Sequence, residues 1–271
     1  MKKQIQTIII FIIFIFFCFI IRFYNLSKYS SPIIVFFNTS EGESILIRNT
    51  EFCSILIDAG IDYELTDNIY KYLPFHKNNI DFVFLSHPHK DHYQGFFSLK
   101  NKYIISNFFY SHYFENHKII NQLKSFSLDS QSIMEEKNIH ACGFIINAYT
   151  LNQSVKNDDI NTQSLILEVY YNSQWILLSA GDIYIDQEME LLNKLPQKQS
   201  LYIYKSSHHG SKTSNSEILL NYLNPKISVI TAGSKNRFNH PHLESLSAIK
   251  KHSDIIYRTD IQNPIIIPVY D

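Results

Sequence analysis

Apolar and polar positions alternate in short runs along most of this chain, and the beginning breaks that pattern. From Ile8 to Ile21 every residue is apolar, with no Gly or Pro. At about 1.5 Å per residue, Ile5 to Tyr24 matches a bilayer core of roughly 30 Å. A core helix would show a polar face, and this run has none. No small-x-small site follows it and no small residues precede Cys18, so it reads as an uncleaved anchor rather than a signal peptide. Lys2, Lys3 and the amino terminus lie on one side, Arg22 and Lys28 on the other. The slight excess at the start predicts an inside N-terminus and an extracytoplasmic domain.

Residues 25–32 form a short polar linker, and from residue 33 to 271 strands and helices follow without a break that would mark a second domain. Ile33–Phe37, Ser44–Arg48 and Ser54–Ile57 read as strands, with Glu41-Gly42-Glu43 as a turn. Asp67–Leu73 predicts a helix, Asp81–Leu85 and Tyr103–Ser106 strands, and His112–Lys124 a helix. Ala141–Tyr149, Ser164–Tyr170 and Trp175–Ser179 read as strands, with Asn152–Gln163 as an Asn/Asp-rich loop. Leu201–Tyr204 is a strand and Asn215–Leu223 a helix stopped by Pro225. Ile227–Thr231 is a strand and His242–His252 a helix. Ile255–Tyr257 and Pro264–Val269 are final strands. Hairpins first, then strands alternating with helices, predict two sheets covered by helices, an α/β sandwich.

Composition narrows the class. The chain has 271 residues, 45% of them hydrophobic, and only 7 Gly and 8 Pro, so it can build a sizeable core. A formal net charge of −1 excludes a globally basic nucleic-acid footprint but not a local patch. Cys18, Cys53 and Cys142 form no CxxC motif or disulfide framework. Cys53 and Cys142 read as small buried residues, with a bridge between them as the alternative if the domain is exported.

The chemistry concentrates in Ser86-His87-Pro88-His89-Lys90-Asp91-His92, directly after the apolar strand Asp81–Leu85. Imidazole and carboxylate are ligands for zinc and similar divalent ions. A loop can send His87 and His89 to one side and Asp91 and His92 to another, and so serve two adjacent metals. Three more strands end in ligand-type residues: Asp58 after Ile55–Ile57, Asp182 after Trp175–Ser179, and His208-His209 after Leu201–Tyr204. Strand ends hold such groups rigidly. Asp182 can bridge two cations, and Asp58 can orient a ligand histidine from behind.

His87-x-His89-x-Asp91-His92, Gly181-Asp182 and His208-His209-Gly210-Ser211 together resemble the metallo-β-lactamase superfamily. Within it, Phe36 to Ile47, Leu56 to Gly60, Asn161 to Leu167, Ala232 to His242 and Tyr257 to Asp260 are similar to the hydrolase domain of the ComEC DNA-uptake family. The resemblance runs from about Val35 to the C-terminus. It implies a four-layer αββα fold and a hydrolase using one or two divalent metal ions, zinc or manganese. The ComEC channel has no counterpart here; one helix stands in its place. Asn38 and Ser40-Glu41-Gly42 replace an Asp and a Gly-Gln-Gly turn usual in that family. The superfamily also often places a further ligand histidine before the Gly-Asp. His112, His117 and His140 lie in that interval but read as surface or helix histidines. Asn161 or a water then fills the place, with Asn161 supporting the ligands as Asp58 does.

On this reading His87 and His89 hold one metal, and Asp91, His92 and one of His208 and His209 the other. Asp182 bridges them. The sequence leaves open which of the paired histidines binds metal and which contacts substrate. Metal-held water would lose a proton near neutral pH and attack as hydroxide. His240 is a candidate general acid or phosphate contact, beside Asp91 as a catalytic candidate. Ser211, Lys212, Lys235 and Arg237 are candidate phosphate contacts. The expected function is a phosphodiesterase or nuclease related to DNA uptake, with DNA as the candidate substrate and the membrane as partner. The alternatives are hydrolysis of an envelope phosphoester, lactone or lactam, and a non-catalytic DNA-uptake binding module. No Gly-x-Ser-x-Gly elbow supports a serine hydrolase.

Overall fold

The computed structural model describes residues 2–27, 31–40, 42–61, 64–74, 76–151, 159–197, 199–234 and 236–270. Their strands fall into two mixed sheets packed face to face, with helices on the outer faces, the αββα sandwich. The first sheet contains β1 (Ile33–Thr39), β2 (Gly42–Arg48), β3 (Ser54–Ile57), β4 (Asn79–Leu85), β5 (Ile104–Ser111) and β6 (Ser127–Ile133). The second contains β7 (Lys137–Ala141), β8 (Phe144–Tyr149), β9 (Ile166–Tyr171), β10 (Gln174–Ser179), β11 (Ile203–Lys205), β12 (Ile227–Ile230) and β13 (Ile255–Arg258). β14 (Ile265–Pro268) returns to the first sheet and pairs antiparallel with β1. Each sheet is antiparallel on one side and parallel on the other, and β3-β4-β5-β6 and β10-β11-β12-β13 are the parallel runs.

Period-two patterning sorts the strand residues into layers. Ile34, Phe36, Ile45, Ile47 and Phe84 point inward and meet Ile146, Leu167, Leu177 and Ile203 of the other sheet. Ile33, Val35, Phe37, Leu46 and Val83 point outward and pack under Phe96, Leu99, Ile120 and Leu123. On the opposite face Leu178, Tyr204 and Ile230 meet Leu191, Leu219, Leu246 and Ile249. Strands buried on both faces read as continuous apolar runs, which is why they were legible.

Several elements differ from expectation. β1 extends to Thr39 and β2 starts at Gly42, so Gly42 and Glu43 belong to a strand; Glu41 lies outside the described residues. The helix expected at Asp67–Leu73 is Glu64–Ile69, ending in turns before Pro74. The helix expected over His112–Lys124 is a single 3-10 turn, His112–Phe114, followed by Lys118–Lys124. His117 splits them by accepting the amide of Ile119 at 3.3 Å as an N-cap. β6 and β7 were not anticipated. Both are edge strands with largely exposed polar residues, so they carry no apolar signature. The strand expected from Ala141 breaks at Cys142-Gly143, where both residues have positive φ.

Cys53 and Cys142 are half-buried and form a disulfide, so the reading of two small buried residues is corrected. The bond joins the segment before β3 to the β7–β8 turn, and therefore one sheet to the other. The helix Lys2–Ser27 contains a span, Gln4–Tyr24, long and apolar enough to cross a membrane. Arg22, within that span, donates to the carbonyls of Tyr70 at 2.8 Å and Leu73 at 2.7 Å.

The disulfide closes a loop with a sequence separation of 89, for which chain entropy predicts about 4–5 kcal/mol of stabilisation. Cys53→Ser should therefore lower the urea midpoint of the domain markedly, and dithiothreitol should do the same to the native chain. Dithiothreitol should have no further effect on the variant. Equal midpoints for native chain and variant would contradict the assignment.

Candidate metal centre

The parallel strands deliver their carboxyl ends to one rim of the sandwich. Asp58 follows β3, the His-rich loop follows β4, Asp182 follows β10, and His208 and His209 follow β11. Two close approaches let these loops converge. A Cβ on Gly42 would lie 1.9 Å from the carbonyl oxygen of Asp91, so the β1–β2 hairpin packs directly under the His-rich loop. Gly181 has φ +58, and a Cβ there would meet Ser164 Oγ at 2.7 Å. Asp58, His208 and His209 also hold positive φ, at 55°, 50° and 54°. Such backbone costs of order 1–3 kcal/mol per residue and persists where the surroundings fix it.

Asp182 sits at the centre. Its Oδ2 is 3.4 Å from His92 Nε2, 3.4 Å from His209 Nε2, 3.9 Å from His208 Nε2 and 4.0 Å from His87 Nε2. Asp91 Oδ2 is 3.5 Å from His209 Nε2 and 4.0 Å from His92 Nε2. His89 Nδ1 lies 3.1 Å from His87 Nε2. All the sequence-derived candidates His87, His89, Asp91, His92, Asp182, His208 and His209 thus meet in one cluster.

The residues behind them fix which nitrogen faces inward. His92 Nδ1 is 2.8 Å from Asp58 Oδ2, and Asp58 also accepts the Ser86 amide at 2.8 Å and the Ser86 hydroxyl at 2.7 Å. His209 Nδ1 is 2.8 Å from the Thr231 carbonyl. His87 Nδ1 is 3.0 Å from Ser86 Oγ. Nε2 of His92 and His209 is thereby left for the centre, and Nε2 of His87 turns toward His89 there. His209 is buried, whereas His208 is half-buried on the cavity wall, with its ring 5.5 Å from that of Tyr184. The geometry thus separates the pair that the sequence could not: His209 has the buried, braced arrangement suited to a metal ligand, and His208 the open one suited to substrate.

Two charged residues outside the predicted set lie beneath. Glu43 of β2 and Lys205 of β11, both fully buried, form an ion pair across the two sheets. Lys205 also donates to the Gly181 carbonyl at 3.1 Å and lies 3.9 Å from Asp182 Oδ1. Both stand at strand ends, Glu43 second in β2 and Lys205 last in β11, where a charge reads as an ordinary exposed residue; such residues are rarely buried without a partner. Tyr184, Ser164 and Thr231 likewise carry no sequence signal.

Burial disfavours charge throughout the cluster, but the charges face one another. Burial would raise the Asp182 carboxyl, yet His209 and His92 outweigh it and hold its pKa well below the ordinary value. Burial would lower His209, but Asp182 and Asp91 push it up to about 10. Burial, with His92 beside it, pushes His87 down. Burial followed by His209 and His208 takes His240 down to about 4.

These residues fit a divalent cation. The Nε2 atoms of His92 and His209 and Oδ1 of Asp182 are buried with no hydrogen-bond partner. Tetrahedral ligands with bonds of about 2.0–2.2 Å stand roughly 3.4 Å apart, close to the Asp182–His92 and Asp182–His209 separations. His87, His92 and Asp182 form one group of potential ligands, and Asp91, His92 and His209 another. His112 binds the Ile133 carbonyl, His117 caps a helix and His140 is exposed in β7, so none of them approaches this cluster.

A cavity of about 420 Å³ opens above, lined by His89, Asp91, Asn161, Tyr184, His208 and His240 among others. Asn161 donates to the Tyr184 hydroxyl at 2.8 Å. Arg237 and Phe238 line the outer part. Ser211 is buried with Oγ 2.9 Å from Thr213 Oγ1, and Lys212 is exposed; neither lines the cavity. Lys235 lies outside the described residues.

Residues 40–118 match the family model of the metallo-β-lactamase superfamily. The chain is 38% identical over 101 residues to ComE operon protein 3 of Bacillus subtilis (strain 168), covering 37% of this chain and 13% of that protein. It therefore spans a small part of that relative's length. The fold is similar to Igni18, a metallo hydrolase from Ignicoccus hospitalis KIN4/I, with a TM-score of 0.56, 13% identity, and coverage of 88% of this chain and 100% of that one. A long form RNase Z from yeast gives a TM-score of 0.54 at 11% identity, covering 88% of this chain and 42% of that one.

Because His209 is held up at about 10, it carries a proton through neutral pH in the metal-free chain. Metal must displace that proton, so apparent zinc affinity should rise with pH up to about 10. Calorimetry in buffers of different ionisation enthalpy should show proton release at pH 7.5. The same raised pKa stabilises the metal-free fold most below the ordinary histidine value of 6.5, and that contribution is lost as pH rises through about 10. Zinc uptake without proton release would contradict the arrangement.

Proposed function

We propose that this chain, which carries a metallo-β-lactamase domain, is a membrane-anchored, metal-dependent phosphodiesterase acting on DNA in the context of DNA uptake. The observation that carries the reading is the buried Nε2 atoms of His92 and His209, without hydrogen-bond partners and set around Asp182 at ligand spacing. The similarity to ComE operon protein 3 supports the uptake context. The Cys53–Cys142 disulfide supports an extracytoplasmic domain, because such bonds persist in oxidising compartments.

His87, His89, Asp91, His92, Asp182 and His209 would hold zinc or manganese. A bound divalent cation supplies Lewis acidity and an activated water. Asp58 and the Thr231 carbonyl hold His92 and His209 in the orientation that presents Nε2. Lys205 secures the Gly181-Asp182 turn. His208, half-buried on the wall, is placed to contact the substrate phosphate. His240 lines the same cavity with its ring centroid 5.6 Å from that of His208; with its pKa down at about 4 it would meet the substrate as a neutral imidazole, suited to a phosphate contact rather than to proton donation. Arg237 at the mouth suits a flanking phosphate. The full-length protein and any larger assembly would act at the membrane through Gln4–Tyr24.

The full chain in detergent, loaded with zinc or manganese, should hydrolyse single- or double-stranded DNA and bis-p-nitrophenyl phosphate. Asp91→Ala should abolish turnover. His209→Ala should lower metal content, measured by elemental analysis, whereas His208→Ala should keep the metal and lose about 100-fold or more in kcat/KM if His208 acts in proton transfer or charge stabilisation. Turnover of small phosphoesters alone would redirect the reading to an envelope substrate. DNA binding without turnover under any metal would leave a binding module.

Asp58→Asn should weaken metal binding about 10- to 100-fold while the chain stays folded, because the residue acts through His92. Metal titration monitored alongside circular dichroism checks both halves of that expectation.

A further inference from the structure

Phe238 is 51% exposed and lines the mouth of the cavity above the metal cluster. A large apolar ring in that position is not explained by the core, which lies beneath. Its plane continues a column of rings that leads inward. Phe238 and His240 are stacked with centroids 5.7 Å apart and planes 23° apart. His240 and His209 follow at 6.2 Å and 21°. The column runs from solvent to the buried histidine next to Asp182.

A planar group already covers the outer ring. The Arg237 guanidinium carbon lies 4.8 Å from the Phe238 centroid. That contact marks the face of Phe238 as one that takes a planar, polarisable group, and a nucleobase has that shape.

We propose that Phe238 is the stacking platform for an unpaired base flanking the scissile phosphate, and that the substrate is therefore single-stranded nucleic acid. The inference rests on the phosphodiesterase reading for its reaction, but its binding test does not. A base within a duplex is already stacked on both faces and is not free to lie on Phe238. A cavity of about 420 Å³ sits near the lower end of small-ligand pockets, about 300–1,000 Å³, and suits one nucleotide unit rather than a duplex. Stacking on an aromatic face gives affinity without sequence preference, since every base has such a face.

The test compares labelled oligo(dT) with an abasic strand of the same length and charge, by fluorescence anisotropy, on the full chain in detergent. The native chain should prefer oligo(dT). Phe238→Ala should weaken oligo(dT) binding roughly 5- to 150-fold, the equivalent of about 1–3 kcal/mol per base, and leave the abasic strand unchanged. Phe238→Trp should keep the preference. Equal affinity of the native chain for the two strands, or equal weakening of both by Phe238→Ala, overturns the inference. Absence of turnover with every metal would overturn the hydrolase reading alone, because the anisotropy comparison needs no reaction.

Discussion

The Asp182 carboxylate is almost wholly removed from water, and the rest of the site is arranged to keep it charged there. An unmatched buried charge costs of the order of several kcal/mol. His92 and His209 stand 3.4 Å away and Lys205 3.9 Å away. Glu43 balances Lys205, which leaves Asp58, Asp91 and Asp182 facing a group of imidazoles. In the metal-free chain protons on His92 and His209 supply the missing positive charge. A divalent cation held by the same donor atoms would supply it in their stead.

The fold makes that concentration of charge possible by separating its cost from its support. The candidate ligands follow strands whose bodies are locked in apolar layers, Asp91 and His92 on the single helical turn Lys90–Tyr93 that comes after β4. Asp58 and the His-rich loop come from one sheet, Asp182 and the histidine pair from the other. The cluster therefore exists only while both sheets keep their relative position. The strained backbone at Asp58, His208 and His209 is tolerated because the strands on either side cannot relax it.

Much of this was legible from the chain. The apolar runs of β1 to β3 and β10 to β12 announce themselves because nearly all their residues are buried, and the segments after β3, β4, β10 and β11 carry imidazole and carboxylate in a recognisable order. Edge strands β6 and β7 were invisible because one polar surface looks like a loop. The roles of His208 and His209 depend on a turn with two left-handed residues, which no pattern of residue types reveals. The Glu43–Lys205 pair joins positions far apart in sequence, and only the packing of one sheet on the other brings them together. The disulfide likewise depends on the β7–β8 turn at Cys142-Gly143, which interrupts a run whose residue types predict one strand.

The disulfide has a mechanical consequence. Cys53 precedes β3 and Asp58 follows it, so the covalent clasp lies at the far end of that strand from the site, while Glu43 and Lys205 clasp the near end. A sandwich fastened at both ends has no hinge about which its halves could part. A polymer of the proposed kind would then have to enter by its own pliancy and past the rim loops, with the sandwich serving as a fixed die and not as a jaw that opens and shuts.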